Sequence, residues 1–270
     1  MVFKIAVCIK QVPDTNDIKW TENNTIQREG LESIINPFDV GAIELALKAK
    51  KLLTHTDVQA EVNAVTMGPL QAEEVLRTAL AMGCDNAYLL SDKRFSAADT
   101  LATAYTLSCF ISNILPDTKL IICGQQAIDG DTAQTPSSLA QKLNIAQATN
   151  ITSLEEINNV YSIWSQETRG FSRVIKSGFP LMISTAINNS NIQPDINGYI
   201  KAQDSQITVF DASAINADFN KIGLKGSPTK VKKAFVPEIK RQTVLYENMQ
   251  PAQCAEFIFE EIEKCRTDYD

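Results

Sequence analysis

One loop of the sequence carries residues that suit nucleotide binding. The stretch CGQQAIDGDTAQTP, residues 123–136, follows the apolar run KLII and precedes SSLAQKL, which is typical of a helix. Thr135 and Pro136 form a common helix start, with threonine as the N-cap and proline in the first turn. Because the first amide groups of a helix have no partner within it, they attract phosphate. Proline has no amide hydrogen, so Ser137, Ser138 and the loop amides would bind the anion.

Asp129 and Asp131, in the same loop, would repel a phosphate. We therefore expect them either to accept hydrogen bonds from the loop backbone, as in Asx turns, or to bind the hydroxyl groups of a ribose. The alternative is an ordinary polar connection, in which Gly130 makes a turn and both carboxylates are solvated. The loop is longer than the roughly two to six residues usual between a strand and a helix, which favours a function.

The composition argues against several other functions. The chain has 270 residues, a net charge of −7, one histidine and six cysteines. A single histidine, His55, supports neither a Ser-His-Asp triad nor a His-based zinc site. The cysteines form no CxxC pair, which indicates free thiols, and neither an export signal nor a membrane-spanning stretch is apparent, so we expect a cytoplasmic protein. The acidic charge argues against nucleic acid as a partner, and the missing P-loop motif argues against a nucleotide-hydrolysing enzyme.

Four short apolar runs predict strands buried on both faces, with helices between them. The predicted strands are Phe3–Lys10, Ala60–Met67, Asn86–Leu90 and Lys119–Cys123, and the predicted helices are Phe38–Leu53, Gln71–Met82 and Ala98–Ile114. This alternation predicts a doubly wound α/β fold with a mostly parallel sheet. Such sheets bind ligands at the carboxyl ends of their strands, where the strand order reverses. The loop from Gly124 has that position.

The second half of the chain shows a different pattern. The runs NVYSIWSQE, GFSRVIKSG and LMISTAI predict an antiparallel meander, and NNSNIQPDING, residues 188–198, is typical of a loop. An amphipathic helix is predicted over Pro251–Lys264. We expect a nucleotide-binding α/β domain over residues 1–205, which includes the meander, and an extended C-terminal arm over residues 206–270 that packs on another chain.

The loop resembles the signature of the β (small) subunits of electron-transfer flavoproteins, approximately G-[RK]-Q-A-I-D-G-D-T-A-Q-V-G-P. Residues 124–134 match it nearly throughout, with Gln125 in place of the basic residue. Further segments resemble the family in order along almost the whole chain: CIKQVPDT (8–15), IINPFD (34–39), TMGPLQAE (66–73), LRTALAMGCDNAYLLSD (76–92), ADTLATA (98–104) and GLKGSPTKVKKAF (223–235). So many separate matches make the resemblance specific.

The resemblance implies a heterodimer with a larger, flavin-carrying α subunit, on which the C-terminal arm packs. The heterodimer would pass electrons between a flavin-dependent dehydrogenase, of acyl-CoA or hydroxy-acid type, and another acceptor. It also implies that Ile196 anchors the dehydrogenase through a recognition loop, although residues 188–195 lack the N-x-P-R-Y segment usual there. The implied nucleotide contacts of this chain are Cys8, Asn36, Pro37, Phe38, Asp39, Met67, Gln126, Ala127, Ile128, Asp129, Gly130, Asp131, Thr132, Ala133, Gln134, Thr135, Pro136 and Ser137.

The resemblance also bears on which nucleotide is bound. Family members with structural AMP typically show K-R-x-x-D-Y after the first strand, whereas a second group, which includes flavin-bifurcating proteins, shows K-Q-V-P-D-T, as residues 10–15 do. In bifurcating members a second FAD replaces AMP and receives hydride from NADH. Thr15 in place of tyrosine leaves room for the flavin ring, so the resemblance favours FAD, with AMP as the alternative. Thr135, Pro136 and Ser137 depart from the family's V-G-P, and the lost glycine removes conformational freedom near the phosphates.

Overall fold

The computed structural model of the chain describes residues 2–14, 33–168, 170–187, 190, 192–230 and 249–267, the last four by their backbone alone. The chain divides into two compact units, residues 1–233 and 234–270. The first unit contains the loop over residues 124–134, named the nucleotide loop for its predicted ligand. The second contains the helix Pro251–Thr267.

In the part of the chain that the structure describes, nine strands form the main sheet of the first unit. Two short strands after the first one form a separate antiparallel pair. The strands are β1 (Phe3–Cys8), β2 (Gln11–Pro13), β3 (Ser33–Ile35), β4 (Ala60–Met67), β5 (Asn86–Leu90), β6 (Thr118–Gly124), β7 (Ala146–Ile157), β8 (Tyr161–Thr168), β9 (Phe171–Gly178), β10 (Leu181–Thr185) and β11 (Ile207–Phe210). The order is β11-β5-β4-β1-β6-β10-β7-β8-β9. Neighbours pair parallel from β11 to β7 and antiparallel from β7 to β9.

Helices cover both faces of the sheet, as the alternating sequence pattern predicts. The helices of the first unit are α1 (Pro37–His55), α2 (Glu73–Met82), α3 (Thr100–Ile114), α4 (Thr135–Leu143) and α5 (Ile196–Asp204). The helix of the second unit is α6 (Pro251–Thr267). One apolar cluster joins the sheet to α1 and α2 and includes the fully buried Ile43 and Leu76. A second cluster joins the opposite face to α3 and α4 and includes Phe110 and Leu139. The doubly wound α/β prediction is therefore confirmed.

The strand order reverses between β1 and β6. From β1 the chain builds β4 and β5 on one side, and it then crosses to place β6 and β10 on the other side. The carboxyl ends of β1 and β6 therefore diverge into connections on opposite sides and leave a crevice. Cys8 and Gly124 end these two strands.

Two strand assignments from the sequence need correction. The run LMISTAI was expected to be the third strand of the meander, but its residues form β10, which lies between β6 and β7 and is parallel to both. All five residues of β10 are buried, which is typical of a central parallel strand. The meander consists instead of β7, β8 and β9, so its first strand precedes the predicted runs.

The chain after residue 205 also differs from the expected arm. β11 pairs with β5, and Ala212, Ile215 and Ile222 are buried in the cluster around α3. The compact first unit therefore continues to residue 233, and the helix predicted over Pro251–Lys264 lies in the second unit as α6. Among the described residues, the structure contains no helix that is both long and apolar enough to span a membrane.

Candidate functional site

A buried carboxylate, Asp39 in the first turn of α1, joins the ends of the two strands at the crevice. Its Oδ2 accepts a hydrogen bond from the Lys10 amide at 2.7 Å, and its Oδ1 accepts one from the Gly124 amide at 3.1 Å. Burial raises the pKa of Asp39 to about 7, although the Asn36 side chain and the two amides oppose this by favouring the charged form. Asp39 therefore fixes the points where the chain leaves β1 and β6.

Gly124 makes this contact possible because it has no side chain. A Cβ atom there would overlap Oδ1 of Asp39 and lie 2.7 Å from the Cβ atom of Phe38. The end of β6 and the start of α1 could not approach each other with any larger residue at this position.

Asn36, immediately before α1, holds the nucleotide loop. Its side chain donates from Nδ2 to the carbonyl of Gln126 at 2.9 Å and accepts at Oδ1 from the Ile128 amide at 3.1 Å. Its own amide donates to the carbonyl of Lys10 at 2.9 Å. Asn36 is only 1% exposed, so its polar atoms are used for contacts within the protein.

The two loop aspartates are both paired. Asp129 accepts from the Lys10 amine at 2.5 Å and its side chain is only 10% exposed, while Asp131 accepts from the Gln126 amide group. We expected backbone amides, or a ribose, as donors. The donors in the structure are side chains of the protein, and contact with a ribose stays a prediction. Asp131 and Ala133 have positive φ angles of 51° and 53°, which turn the loop sharply. The carboxylates stabilise the loop in this shape.

The loop ends at the first turn of α4. The helix begins at Thr135, and the N-cap position is taken by Gln134, whose side chain makes no capping bond. The expected cap is therefore displaced by one residue, while Pro136 lies in the first turn as predicted. A cavity of about 280 Å³ opens beside this turn, between α3 and α4. It is lined by Leu101, Ser137, Ser138, Gln141 and Lys142.

Two thiols lie side by side below the loop. Cys8 and Cys123 are partners in the register of β1 and β6, and both are buried and free. A hydrogen bond with Cys8, together with burial, raises the pKa of Cys123 well above its usual range. The prediction of buried free thiols is thus confirmed for this pair, and Cys123 is neutral at physiological pH.

The predicted nucleotide residues lie at one edge of the sheet. Cys8 and Met67 end β1 and β4, residues 36–39 begin α1, and residues 126–137 form the loop and the first turn of α4. Residues 131–134 are exposed, which leaves that part of the loop accessible. Their contact with a nucleotide stays a prediction. Thr15 and residues 188, 189 and 191 lie outside the described residues.

Three residues at this edge have contacts to which no role was assigned from the sequence. Lys10 pairs with Asp129, Gly124 approaches α1, and the carbonyl of Thr185 at the end of β10 accepts from the Gln125 amide at 2.8 Å. Lys10 and Gly124 lie in segments that resemble the family, and this resemblance was the signal that could have identified them. Thr185 could not be placed here while β10 was assigned to the meander.

Ile196 is the first residue of α5, where a loop was expected. The Asp195 carboxylate accepts from the Gly198 amide at 2.6 Å and caps this helix. A Cβ atom at Gly198 would overlap the carbonyl of Ala81, so glycine permits α5 to pack closely on α2. The opposite face presents Ile196, Tyr199 and Ile200, which are 78%, 53% and 56% exposed.

Comparison with known proteins identifies the family. The electron transfer flavoprotein domain matches residues 23–215. The chain is 41% identical over 242 residues to the electron transfer flavoprotein subunit beta of Megasphaera elsdenii, with 87% of each chain covered. It is 39% identical over 247 residues to protein FixA of Sinorhizobium fredii, covering 88% of this chain and 85% of that protein. It is also 39% identical over 239 residues to the caffeyl-CoA reductase-Etf complex subunit CarD of Acetobacterium woodii, covering 88% of this chain and 89% of that protein.

The family match covers residues 23–215, which include β6 and the loop that follows it, and the relatives match most of the chain. The resemblance found in the loop therefore extends well beyond the loop. The chain belongs to the electron-transfer flavoprotein family, among its β (small) subunits of the FixA type.

Proposed function

We propose that this chain binds FAD in the crevice between β1 and β6 and acts with an α subunit in flavin-based electron bifurcation. NAD(H) would exchange electrons with this flavin, and a partner flavin dehydrogenase would take part in the transfer. The observation that carries the proposal is the loop over residues 124–134, whose acidic side chains are already paired within the protein. The loop can therefore accept an anionic dinucleotide without an unpaired carboxylate facing it.

The residues present fit a nucleotide with a diphosphate. The amides of Thr135 and Ser137 would bind phosphate, because Pro136 has no amide hydrogen and the Ser138 amide donates to the carbonyl of Gln134. Ser137 and Ser138 also line the adjoining cavity. Residues 131–134 offer accessible loop backbone. When bound, FAD would supply the hydride and electron chemistry, so the protein needs no conventional acid or base and instead determines position and potential.

The neutral thiol of Cys123 at the crevice floor suits such a cofactor. A hydrogen bond with Cys8, together with burial, raises the pKa of Cys123 well above its usual range. A thiolate beside a flavin could attack the ring or repel its reduced, anionic form. The protonated thiol of Cys123 avoids both effects.

Relatives support the electron-transfer role and its partners. One relative is named as a subunit of a caffeyl-CoA reductase-Etf complex, and another as the acryloyl-CoA reductase electron transfer subunit gamma of Anaerotignum propionicum. We extend this to a dehydrogenase of acyl-CoA or hydroxy-acid type for this chain. We further propose that the chain pairs with an electron-transfer flavoprotein α subunit, on which the second unit packs through Ile258, Phe259 and Ile262, more than half exposed here.

The test is to identify the nucleotide carried by this chain. The heterodimer with its α subunit is purified and denatured, and the released nucleotides are separated by chromatography. We expect FAD beyond the flavin of the α subunit, without AMP, and bleaching of a flavin on anaerobic addition of NADH. Recovery of AMP in an amount equal to this chain, with no bleaching by NADH, would rule out the FAD proposal.

The second candidate function is that of a docking module with structural AMP. The helix start favours it, because Pro136 is buried and rigid where the family signature has glycine. This start could admit one phosphate more readily than a diphosphate that must pass close to the backbone. The same chromatogram distinguishes the two candidates.

A further inference from the structure

Asp39 is surrounded by hydrogen-bond donors. The Lys10 and Gly124 amides donate to its two oxygens at 2.7 and 3.1 Å, and the Asn36 side chain also favours its charged form. A carboxylate accepts at both oxygens, whereas a protonated carboxyl must direct one O–H towards an acceptor. On protonation, therefore, at least one of the two amides loses part of its hydrogen bond. The geometry fits the ionised form.

These two amides belong to residues that position the nucleotide loop. Gly124 is its first residue, and Lys10 carries the amine that holds Asp129 at 2.5 Å. Asn36, three residues before Asp39, fixes Gln126 and Ile128 in the same loop. One short segment at the start of α1 therefore determines where the loop begins and how it is braced.

We propose that Asp39 is a positioning residue that holds the nucleotide loop in its binding conformation while its carboxyl group is ionised, and that protonation of this group loosens the loop and weakens nucleotide binding. The inference rests on the proposed function, in which this crevice takes an adenine nucleotide. Asp39 has no role in the chemistry of the cofactor. It acts through Gly124 and Lys10.

We expect the loosening of the loop to occur near neutral pH, because burial raises the pKa of Asp39 to about 7. The charged and titratable groups that face Asp39 in the described structure are few. They are Lys10, which forms an ion pair with Asp129, and the thiol of Cys123, which is hydrogen-bonded to Cys8. The pKa of Cys123 lies well above its usual range, so this thiol keeps one protonation state near neutrality.

The experiment measures FAD and AMP affinity of the full chain by calorimetry at about pH 6 and about pH 8. The diphosphate of FAD keeps its charge over this range, so a change in FAD affinity reports on the protein. If only the ionised form binds, the competent fraction falls from about 0.9 to about 0.1, and FAD should bind roughly tenfold more weakly at the lower pH. Asp39→Asn, which loses one acceptor, should bind weakly and nearly equally at both pH values.

Asp85→Asn is the matched control. Asp85 likewise accepts from a strand amide, that of Val62 at 2.8 Å, and from a lysine amine, that of Lys50 at 2.5 Å. It precedes β5, at the opposite edge of the sheet from the loop. This variant should keep both the affinity and the pH dependence of the natural chain, even where its stability falls.

Hydrogen exchange at the Gly124 and Ile128 amides gives a second readout that needs no nucleotide. After correction for the intrinsic effect of pH, both amides should exchange faster at the lower pH in the natural chain, and equally at both in Asp39→Asn. FAD affinity and exchange rates that do not change with pH would overturn the inference, and the natural chain alone suffices for this if the variant does not fold. If neither nucleotide binds at either pH, the proposed function and the affinity part of the inference both fail, and exchange still decides whether Asp39 holds the loop.

Discussion

Asp129 and Asp131 show how acidic residues can stand in a loop that is proposed to bind anions. Each carboxylate is engaged by a side chain of the protein, Asp129 by Lys10 and Asp131 by Gln126. A charge that already has a partner repels an incoming phosphate less than a free one. The two aspartates are thus compatible with the proposed phosphate site.

Replacing Lys10 by Gln should test whether the ion pair between Lys10 and Asp129 favours nucleotide binding. Asp129 would lose its partner, and its charge would oppose the nucleotide, so FAD or AMP affinity should fall by about 1 kcal/mol, a factor of roughly five to ten. The double variant Lys10→Gln, Asp129→Asn should recover most of the loss, as measured by calorimetry. Lys4→Gln is the control, because Lys4 donates to the carbonyl of Pro116 near the other end of the strands. A double variant as weak as the single one would contradict the role assigned to the pair.

Asp39 should also make the stability of the fold depend on pH. The sign of this dependence is opposite to that expected for nucleotide binding. The pKa of Asp39 is raised from 3.8 to about 7, so between these values the folded state binds more protons than the unfolded state. The free energy of unfolding should therefore fall as pH rises from about 4 to about 7 and then level off, by about 2 kcal/mol over the upper half of that interval. Urea unfolding of the natural chain and of Asp39→Asn, which should lack this component, provides the measurement. Parallel pH profiles for the two proteins would show that Asp39 does not titrate in this range.

At the scale of elements, the parallel strands β1, β4, β5 and β6 could be predicted from the sequence. The strands that continue the sheet beyond β6, which are β10 and β7, could not be placed. β1, β4, β5 and β6 are continuous apolar runs between amphipathic helices, and local pattern suffices for them. β7 is different: burial recurs at every third residue, at Ala148, Ile151, Leu154 and Ile157, because irregularities in its pairing interrupt the two-residue alternation of a strand. A period of three resembles neither a regular strand nor a regular helix.

β10 and the candidate site show a second limit of sequence patterns. β10 is an unbroken apolar run, but its position between β6 and β7 depends on distant pairing, which no local pattern contains. Likewise, the motifs identified the loop. However, Asn36 and Lys10, which contact the loop, are separated from it by about ninety to one hundred and twenty residues along the chain. The site residues could be predicted, but the way they brace one another required the fold.

α5 provides a prediction about partner binding. Its inner face is fixed on α2 by Gly198 and Ala202, and its outer face exposes Ile196. Ile196→Ala should weaken coupling to the proposed dehydrogenase by about 1–2 kcal/mol without lowering thermal stability, because the side chain is 78% exposed. Electron transfer from dehydrogenase to heterodimer, measured as a function of dehydrogenase concentration, reports this change. Val174→Ala on β9, 72% exposed, is the control, and an equal effect of both variants would remove Ile196 from the interface.

At the scale of the whole molecule, the division after residue 233 separates the unit with the sheet from the unit proposed to contact the α subunit. The first unit contains the sheet, both apolar clusters and the loop, while the second contains α6 with an exposed apolar surface. The segment over residues 207–229 is held against the rest of the first unit by Asp92, which accepts from the Ala212 amide at 3.1 Å, and by Asp99, which accepts from the Thr229 hydroxyl at 2.8 Å. The C-terminal stretch proposed to bind a partner is thus shorter than the arm expected from the sequence.

A chain that ends at residue 233 should therefore fold and fail to assemble. We expect its far-UV circular dichroism to retain the α/β signature and its melting temperature to lie within a few degrees of that of the full chain. Co-purification with the α subunit should be lost or strongly reduced. A truncated chain that binds the α subunit as well as the full chain does would contradict the role proposed for the second unit, whereas one that fails to fold would contradict the division itself.

The neighbouring thiols of Cys8 and Cys123 have a practical consequence. They lie where β1 and β6 end, and Gly124, the first residue of the loop, directly follows Cys123. A buried thiol resists alkylating reagents until the surrounding structure opens. Labelling rates at these two positions therefore follow the opening of the crevice floor, and the natural sequence already contains the probe with which occupied and empty forms can be compared.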